Sequence, residues 1–124
     1  MLRHLEHRSA ETQSLGFPPL LTDDDLARIL VMTTDWVRSH AHEIPGFHRF
    51  GRYFRFHRLA VEQWLGSLDP LFQVKEVGEL LGLRDPWVYA HADEIPGVLR
   101  LGHYIRFRPT MLKPFLNGSD APEV

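Results

Sequence analysis

The sequence contains no cysteine, which excludes disulfides, thiolate metal sites and thiol catalysis. No apolar run approaches the length of a membrane span, and the first residues, 1–11, are polar. We therefore expect neither a transmembrane helix nor a signal peptide, and we predict a cytoplasmic protein. Apolar residues make up 44% and charged residues 24% of the 124 residues, which is typical of a folded globular chain.

Neither positive nor negative charge is in large excess, since the formal net charge is only −2. The distribution is uneven, however. Two stretches, between Glu43 and Glu62 and between Glu94 and Asp120, contain no acidic residue. The basic residues within them are Arg49, Arg52, Arg55 and Arg58, and then Arg100, Arg106, Arg108 and Lys113. Clustered cations of this kind indicate a surface that binds phosphate groups.

One stretch of the chain occurs twice. Residues Trp36–Phe56 and Trp87–Phe107 align without a gap at an offset of 51, and 13 of the 21 aligned residues are identical. An internal repeat decides the architecture, and two copies predict two small domains of one type in tandem. We place the first unit at 20–66 and the second at 71–117, joined by a linker at 67–70. Residues 1–19 are expected to form an arm, and residues 118–124 a tail.

Each unit has the pattern of two short helices, a hairpin and a third helix. In the first unit we predict helices at Asp23–Leu30, Asp35–His42 and Arg58–Leu65, the first of them capped by Thr22. In the second, Asp85-Pro86 starts the second helix and Thr110–Leu116 forms the third. The linker is too short for independent tumbling, so the two units should lie close together. The expected fold class is mainly α with small β-hairpin wings.

Glycine at the first position of a two-residue loop, in Gly51-Arg52 and Gly102-His103, favours a type II′ hairpin turn. In the return strand of the first unit, alternation places Phe54 and Phe56 toward the core and Tyr53 and Arg55 outward. Tyr104 and Arg106 should likewise point outward in the second unit. The residues expected in the core are Trp36, Trp87, Phe56 and Phe107, while Trp64 and Phe115 belong to the core or to a seam between the units.

Short motifs in the second unit identify a family resemblance. They are Phe72–Leu83, Trp87–Tyr89, Ile95–Gly97, Arg100–Gly102 and Arg106-Phe107. In this order and spacing they resemble the small MerR-like winged helix-turn-helix domains of bacterial and phage excisionases and AlpA-type regulators. The first unit departs from the pattern, with Val31 at the turn glycine and Arg38 at the tyrosine.

The resemblance implies binding of double-stranded DNA, with the second helix in the major groove and the hairpin wing on the backbone or minor groove. It implies the role of an excisionase (a recombination directionality factor) beside an integrase, or of a small transcription regulator. Such a protein is nucleoid-associated when DNA-bound. Because the exposed helix residues differ between the units, we expect an asymmetric site with half-sites about one helical turn apart.

The candidate DNA contacts are exposed residues of the second helices and of the wings. For the recognition helices they are Thr33, Thr34, Arg38, Ser39, His42, Arg84 and Tyr89. For the wings they are Arg49, Arg52, Tyr53, Arg55, Arg58, Arg100, His103, Tyr104, Arg106 and Arg108. The arginines of the wings would neutralise phosphates, and Arg38 and Arg84 would contact guanine. The two wing tyrosines either donate to phosphate or pack over the hairpin, and Asp35 and Asp93 would repel phosphate.

Catalysis and metal binding are not expected. The sequence shows no nucleophile–base pair, paired carboxylates or phosphate-cradling loop, so we predict a protein without enzymatic activity or cofactor. His40, His42 and His48 do not recur as a ligand set in the second copy. His40 and His91 do recur, which indicates a shared structural hydrogen bond.

The alternative is a protein-interaction module in which one or both units have lost contact with DNA and bind an integrase, a polymerase subunit or a second copy of the protein. In the DNA-binding hypothesis the protein is a monomer with two DNA-binding units, or it self-associates weakly on DNA.

Overall fold

The computed structural model describes residues 15–118, so that most of the expected arm and tail lies outside the described residues. Two sets of elements follow one another in the same order. The first set is β1 (Leu21–Thr22), α1 (Asp23–Leu30), α2 (Thr34–Ser39), β2 (Phe47–Phe50), β3 (Tyr53–Phe56) and α3 (Arg58–Leu65). The second set is β4 (Phe72–Gln73), α4 (Val74–Leu81), α5 (Asp85–Ala90), β5 (Val98–Leu101), β6 (Tyr104–Phe107) and α6 (Pro109–Leu116). Within residues 15–118, no helix is long and apolar enough to cross a membrane.

Each set contains a three-stranded antiparallel sheet, in the order β1-β3-β2 and β4-β6-β5. The predicted hairpins are present, and Arg49 pairs with Phe54 across the first of them. The sequence pattern does not predict β1 and β4, whose two residues pair with the return strand of each hairpin. Strands of two residues carry too little alternation to be recognised. The fold is therefore a mixed α and β architecture rather than helices with two-stranded wings.

Helix α1 has the bounds that the sequence predicts. The Oγ1 atom of Thr22 accepts from the N–H of Asp25 at 3.0 Å, and Oδ2 of Asp25 accepts from the N–H of Thr22 at 2.9 Å. This reciprocal capping satisfies two N–H groups that the helix itself leaves unpaired. The residue that caps the C-terminus of the helix is Val31, whose φ of 57° is left-handed and costly for a β-branched residue. Gly82 occupies the equivalent position of the second unit with a φ of 71°, where no side chain opposes it.

The second helix of the first unit is shorter than predicted. Helix α2 ends at Ser39, and a 3-10 helix at Ala41–Glu43 takes the chain to Ile-Pro-Gly. In the second unit the cap residue is Arg84 and Asp85 is the first helical residue, so the predicted start at Asp85-Pro86 is displaced by one position. The last helix also begins one residue early, because Pro109 fits the first turn of a helix.

Each set of elements buries an apolar cluster, and the first cluster also includes Leu71 and Leu101 of the second unit. Phe56 and Phe107 are fully buried, as the sequence predicts. The prediction that Trp87 belongs to the core is wrong, since it is 38% exposed. Trp36 is only partly buried and packs against the edge of the first cluster.

Both of these indole rings stack on a histidine, with ring centroids 4.1 Å apart for Trp36 and His40 and 4.0 Å apart for Trp87 and His91. The Nδ1 atom of His40 lies 2.8 Å from the carbonyl oxygen of Trp36, and that of His91 lies 2.9 Å from that of Trp87. The structural hydrogen bond predicted for the repeated histidines is confirmed.

The first unit packs on one face of the second unit's sheet. We call this the outer face; it carries Leu99, Leu101, Tyr104 and Arg106. Leu101 is 6% exposed and belongs to the apolar cluster of the first unit, against which Leu99 also packs. At the edge of this contact, the N–H of Leu71 donates to the carbonyl oxygen of Ile29 at 2.9 Å. The close association that the short linker predicts is confirmed.

Candidate nucleic-acid interface

Arg38 on α2 and Arg49 on β2 meet over one aromatic ring. The guanidinium carbon of Arg38 lies 4.0 Å from the centroid of Phe54, and that of Arg49 lies 5.6 Å from it. Nη2 of Arg38 also lies 3.4 Å from the carbonyl oxygen of Arg52, in the hairpin turn. Contacts of this kind position a guanidinium group without using all of its N–H donors. Helix and hairpin of the first unit thus form one basic surface of Arg38 and Arg49, which we call the first basic surface. The guanidinium carbon of Arg52, in the turn, lies 5.5 Å from the ring of Tyr53, on the other face of the hairpin.

Acidic residues border the first basic surface. Oδ2 of Asp23 accepts from Nη1 of Arg38 at 2.8 Å, and the Oδ1 atom of Asp24 accepts from the hydroxyl of Thr34 at 2.9 Å. The side chains of Arg38 and Asp23 are 40% and 20% exposed. Ion pairs this accessible to water typically contribute only ~0–1 kcal/mol. A phosphate group can therefore displace the carboxylate of Asp23 from Arg38 at little cost.

The other candidates on the first recognition helix make local bonds. The Oγ1 atom of Thr33 accepts from the N–H of Trp36 at 3.0 Å and so caps α2. The hydroxyl of Ser39 donates to the carbonyl oxygen of Asp35 at 2.9 Å. His42 is exposed beside Glu43. Arg38 is consequently the strongest donor that this helix offers to a ligand.

The equivalent surface of the second unit holds fewer free cations. Tyr89 stands in the place of Arg38 and His103 in that of Arg52, and both are exposed. Arg100, the equivalent of Arg49, donates from Nη2 to Oδ1 of Asp93 at 3.0 Å. Arg84 is exposed at the cap of α5 and makes no ion pair among residues 15–118. The two units thus present different chemistry to a ligand.

Arg106 lies on the predicted face of its strand, but the prediction that it is exposed to bind phosphate is wrong. Its side chain is 7% exposed, because the first unit covers the outer face of the second sheet. Nε donates to the carbonyl oxygen of Leu30 at 2.9 Å and Nη2 to that of Val31 at 2.6 Å. Burial lowers the pKa of Arg106 from its ordinary value, while Tyr89, Tyr104 and Glu76 act in the opposite direction. A guanidinium retains its charge through such a shift, but in this position it cannot reach a phosphate.

The guanidinium group of Arg108 also donates its hydrogen bonds within the protein. Its Nε donates to the carbonyl oxygen of Trp64 at 3.0 Å and its Nη1 to that of Val98 at 3.1 Å. Trp64 thereby contributes to the seam between the units, whereas Phe115 is 44% exposed. Arg108 holds the third helix of the first unit against the second hairpin.

The remaining wing candidates lie on the other side of the first hairpin or away from its tip. Arg55 is half-buried, and its guanidinium carbon lies 5.6 Å from the ring of Tyr53. Tyr53 and Tyr104 are both about half exposed, at 53% and 48%. Arg58 donates from Nε to the carbonyl oxygen of Pro19 at 2.7 Å.

Alternation along the strand predicts only that Phe54 faces the core, whereas the structure places this half-buried ring beneath two guanidinium groups. A signal for this role exists in the repeat. In the second unit, Ile105 occupies the place of Phe54 and Tyr89 occupies the place of Arg38. The aromatic ring and the cation are therefore either both present or both absent in a unit.

Within residues 15–118, no group of three or more histidine or carboxylate side chains could hold a metal ion. The chain matches no family model, no curated protein and no solved structure. The geometry of the first basic surface is therefore the basis for a functional proposal.

Proposed function

We propose that the protein is a sequence-specific double-stranded DNA-binding protein built from two tandem winged helix-turn-helix units, with the first unit making the principal contact. The observation that carries this proposal is the first basic surface, in which Arg38 and Arg49 lie 4.0 and 5.6 Å from the ring of Phe54. When a helix and a hairpin are joined in this way, the helix can enter a major groove while the hairpin contacts the adjacent phosphate backbone.

The resemblance to excisionases and AlpA-type regulators supports the same function. Excision beside an integrase and control of transcription both require that a small protein occupies a defined duplex site. Arg38 would read guanine in one half-site, while Arg84 and Tyr89 would make the different contacts of the second half-site. The site is consequently asymmetric, and co-assembly with an integrase on that site would distinguish excision from transcriptional control.

The test is an anisotropy titration with a duplex selected from a random pool, repeated between about 50 mM and about 200 mM salt. Arg49→Gln should weaken binding to all sequences alike and lower the salt slope by about one phosphate contact. Arg28→Gln is the matched control, because Arg28 is exposed and pairs with Asp25 on its own helix. Affinity that does not respond to salt, or a best site with perfect two-fold symmetry, would contradict the proposal.

A protein-interaction module is the second candidate function. The ion pairs of Arg38 with Asp23, at 2.8 Å, and of Arg100 with Asp93, at 3.0 Å, favour it because they reduce the free positive charge on both units. In that case an integrase or a polymerase subunit would be the partner. Co-purification with such a protein, together with no duplex binding at low salt, would support this function over DNA binding.

A further inference from the structure

The outer face of the first sheet carries the same chemistry as the outer face that the second unit uses to hold the first. Phe50 is equivalent to Leu101, and Arg55 is equivalent to Arg106. Yet Phe50 is 51% exposed where Leu101 is 6% exposed. No part of residues 15–118 covers the outer face of the first sheet in the way that the first unit covers the second.

Arg55 has the same local contacts as Arg106 but lacks the distant ones. Nη1 of Arg55 donates to the carbonyl oxygen of Phe54 at 2.8 Å, just as Nη1 of Arg106 donates to that of Ile105 at 2.9 Å. The guanidinium carbons lie 5.6 Å from Tyr53 and 5.7 Å from Tyr104, respectively. Arg106 uses Nε and Nη2 to hold the end of α1, whereas those atoms of Arg55 have no acceptor among the described residues.

A groove runs beside Arg55. The residues that line it are Pro19, Leu20, Thr22, Phe50, Tyr53 and Arg55. Their equivalents, 51 positions later, include Leu71, Leu101 and Arg106, which contact the first unit. Leu20 takes the place of Leu71, whose N–H donates to the carbonyl oxygen of Ile29. The groove therefore has the apolar wall, the guanidinium and the backbone donor that receive a helix end in the second unit.

The complementary surface is exposed on the second unit. Its residues are the equivalents of Ile29, Met32, Trp36 and Trp64, all at least partly buried in the first unit. They are Leu80, Leu83, Trp87 and Phe115, with exposures of 52%, 40%, 38% and 44%. Helix α4 ends at Gly82 in the same left-handed conformation as α1 at Val31. Its last carbonyl groups carry the negative end of the helix dipole, which suits an arginine.

We propose that the protein assembles head to tail, with the outer face of the first sheet of one copy receiving the end of α4 of the next copy. A second copy is the occupant because it carries the segment whose equivalent fills this kind of groove within the chain. Arg55 would donate from Nε and Nη2 to the carbonyl oxygens of Leu81 and Gly82, and Leu20 would donate to that of Leu80. Because the two surfaces differ, each added copy uses one of them and leaves the other free for a further copy, so that the contact propagates. This inference goes beyond DNA binding and does not depend on it.

Three replacements make the contact between copies weaker than the contact within the chain. His48 stands in place of Leu99, His57 in place of Arg108, and Arg84 in place of Thr33. In the contact between copies, Arg84 of one copy would lie near Arg55 of the other, and the two positive charges would repel each other. Salt would screen this repulsion. Assembly should consequently persist as salt rises, in contrast to binding of DNA. Without a covalent linker between copies, assembly depends on protein concentration.

Sedimentation equilibrium of the full chain without DNA tests this proposal, from about 1 μM to about 1 mM, where a weak interface becomes populated. The average mass should rise with concentration from 14.4 kDa to beyond that of a dimer. Phe50→Asp should abolish one side of the contact and Leu80→Asp the other, so that each variant remains at 14.4 kDa. Their equimolar mixture should form a dimer of about twice that mass, because each variant retains the side that the other lacks.

Ala90→Asp is the matched control. Ala90 is exposed, and its equivalent, Ser39, is exposed and bonds within its own helix. This variant should assemble like the unmodified chain. Circular dichroism of all variants distinguishes loss of assembly from loss of folding.

Two results would overturn the proposal. One is a mass of 14.4 kDa at every concentration. The other is a two-fold symmetric dimer, for which mixing Phe50→Asp with Leu80→Asp does not restore assembly.

Discussion

The guanidinium group of Arg106 holds the end of helix α1 through Leu30: Nε of the arginine lies 2.9 Å from the carbonyl oxygen of the leucine. The two residues belong to different units of the repeat and are 76 positions apart. A charged donor thus satisfies a helix carbonyl that no intrahelical bond can reach. The contact joins two similar units into an asymmetric pair.

Replacing Arg106 should therefore cost much more stability than replacing its equivalent, Arg55. Arg106→Met leaves the carbonyl groups of Leu30 and Val31 buried without a donor, which should lower the free energy of unfolding by about 3 kcal/mol. Arg55→Met should cost less than about 1 kcal/mol, as expected for a half-exposed side chain. Urea unfolding followed by tryptophan fluorescence measures both in dilute solution. Equal costs would mean that the contact between the units contributes nothing.

The apolar part of the same contact predicts a second difference. Leu101→Ala removes a side chain that is 6% exposed and packs into the cluster of the other unit. This change should cost about 2–3 kcal/mol, while Phe50→Ala at the equivalent exposed position should cost less than about 0.5 kcal/mol. The same urea titration at low micromolar concentration compares the two variants. A larger cost for Phe50→Ala would contradict the packing described above.

Gly97 and Gly102 should differ in their tolerance of alanine. Both have a positive φ, of 92° and 62°. A Cβ atom on Gly97 would lie 2.9 Å from the carbonyl oxygen of Arg108, whereas one on Gly102 would meet nothing within 4 Å. Gly102→Ala should cost about 1–2 kcal/mol for the left-handed backbone alone. Gly97→Ala should cost at least about 1 kcal/mol more, a further fall in the midpoint of thermal unfolding of about 4 °C or more by circular dichroism.

If the protein binds DNA as proposed, removing an acid beside an arginine should strengthen that binding. Asp93→Asn releases Arg100 from an ion pair of 3.0 Å and removes one negative charge from the second unit. We expect about threefold to tenfold tighter binding at low salt, a gain that shrinks as salt screens the charges. Glu79→Gln controls for net charge, because Glu79 is exposed and makes no ion pair among residues 15–118. Anisotropy titration would contradict the prediction if the control variant gained as much.

Local features of the fold can be read from the sequence because neighbouring residues cause them. Thr22 and Asp25 start α1, and glycine shapes the turns at Gly51 and Gly102. The features that sequence analysis misses depend on partners far along the chain. Strand β1 exists because Leu21 pairs with Phe56, 35 positions later, and two residues carry no periodicity of their own.

For the candidate site, too, the local pattern predicts some features and the packing of the two units decides others. Alternation along β3 and β6 correctly separates the two faces of each return strand, since successive side chains point to opposite sides. It cannot indicate which face another unit covers. Arg55 and Arg106 are therefore indistinguishable by pattern, although one lines an open groove and the other is buried against Leu30.

The sequence by itself determined the repeat, the order of helices and hairpins, the buried phenylalanines and the paired histidine contacts, because these depend on local spacing and on apolar periodicity. Only the tertiary structure decided how the two units differ. The short linker brings the first unit onto the second sheet, which converts the predicted phosphate-binding arginine at position 106 into an internal donor. Within residues 15–118, the same packing leaves the first basic surface, and the outer face beside Arg55, uncovered.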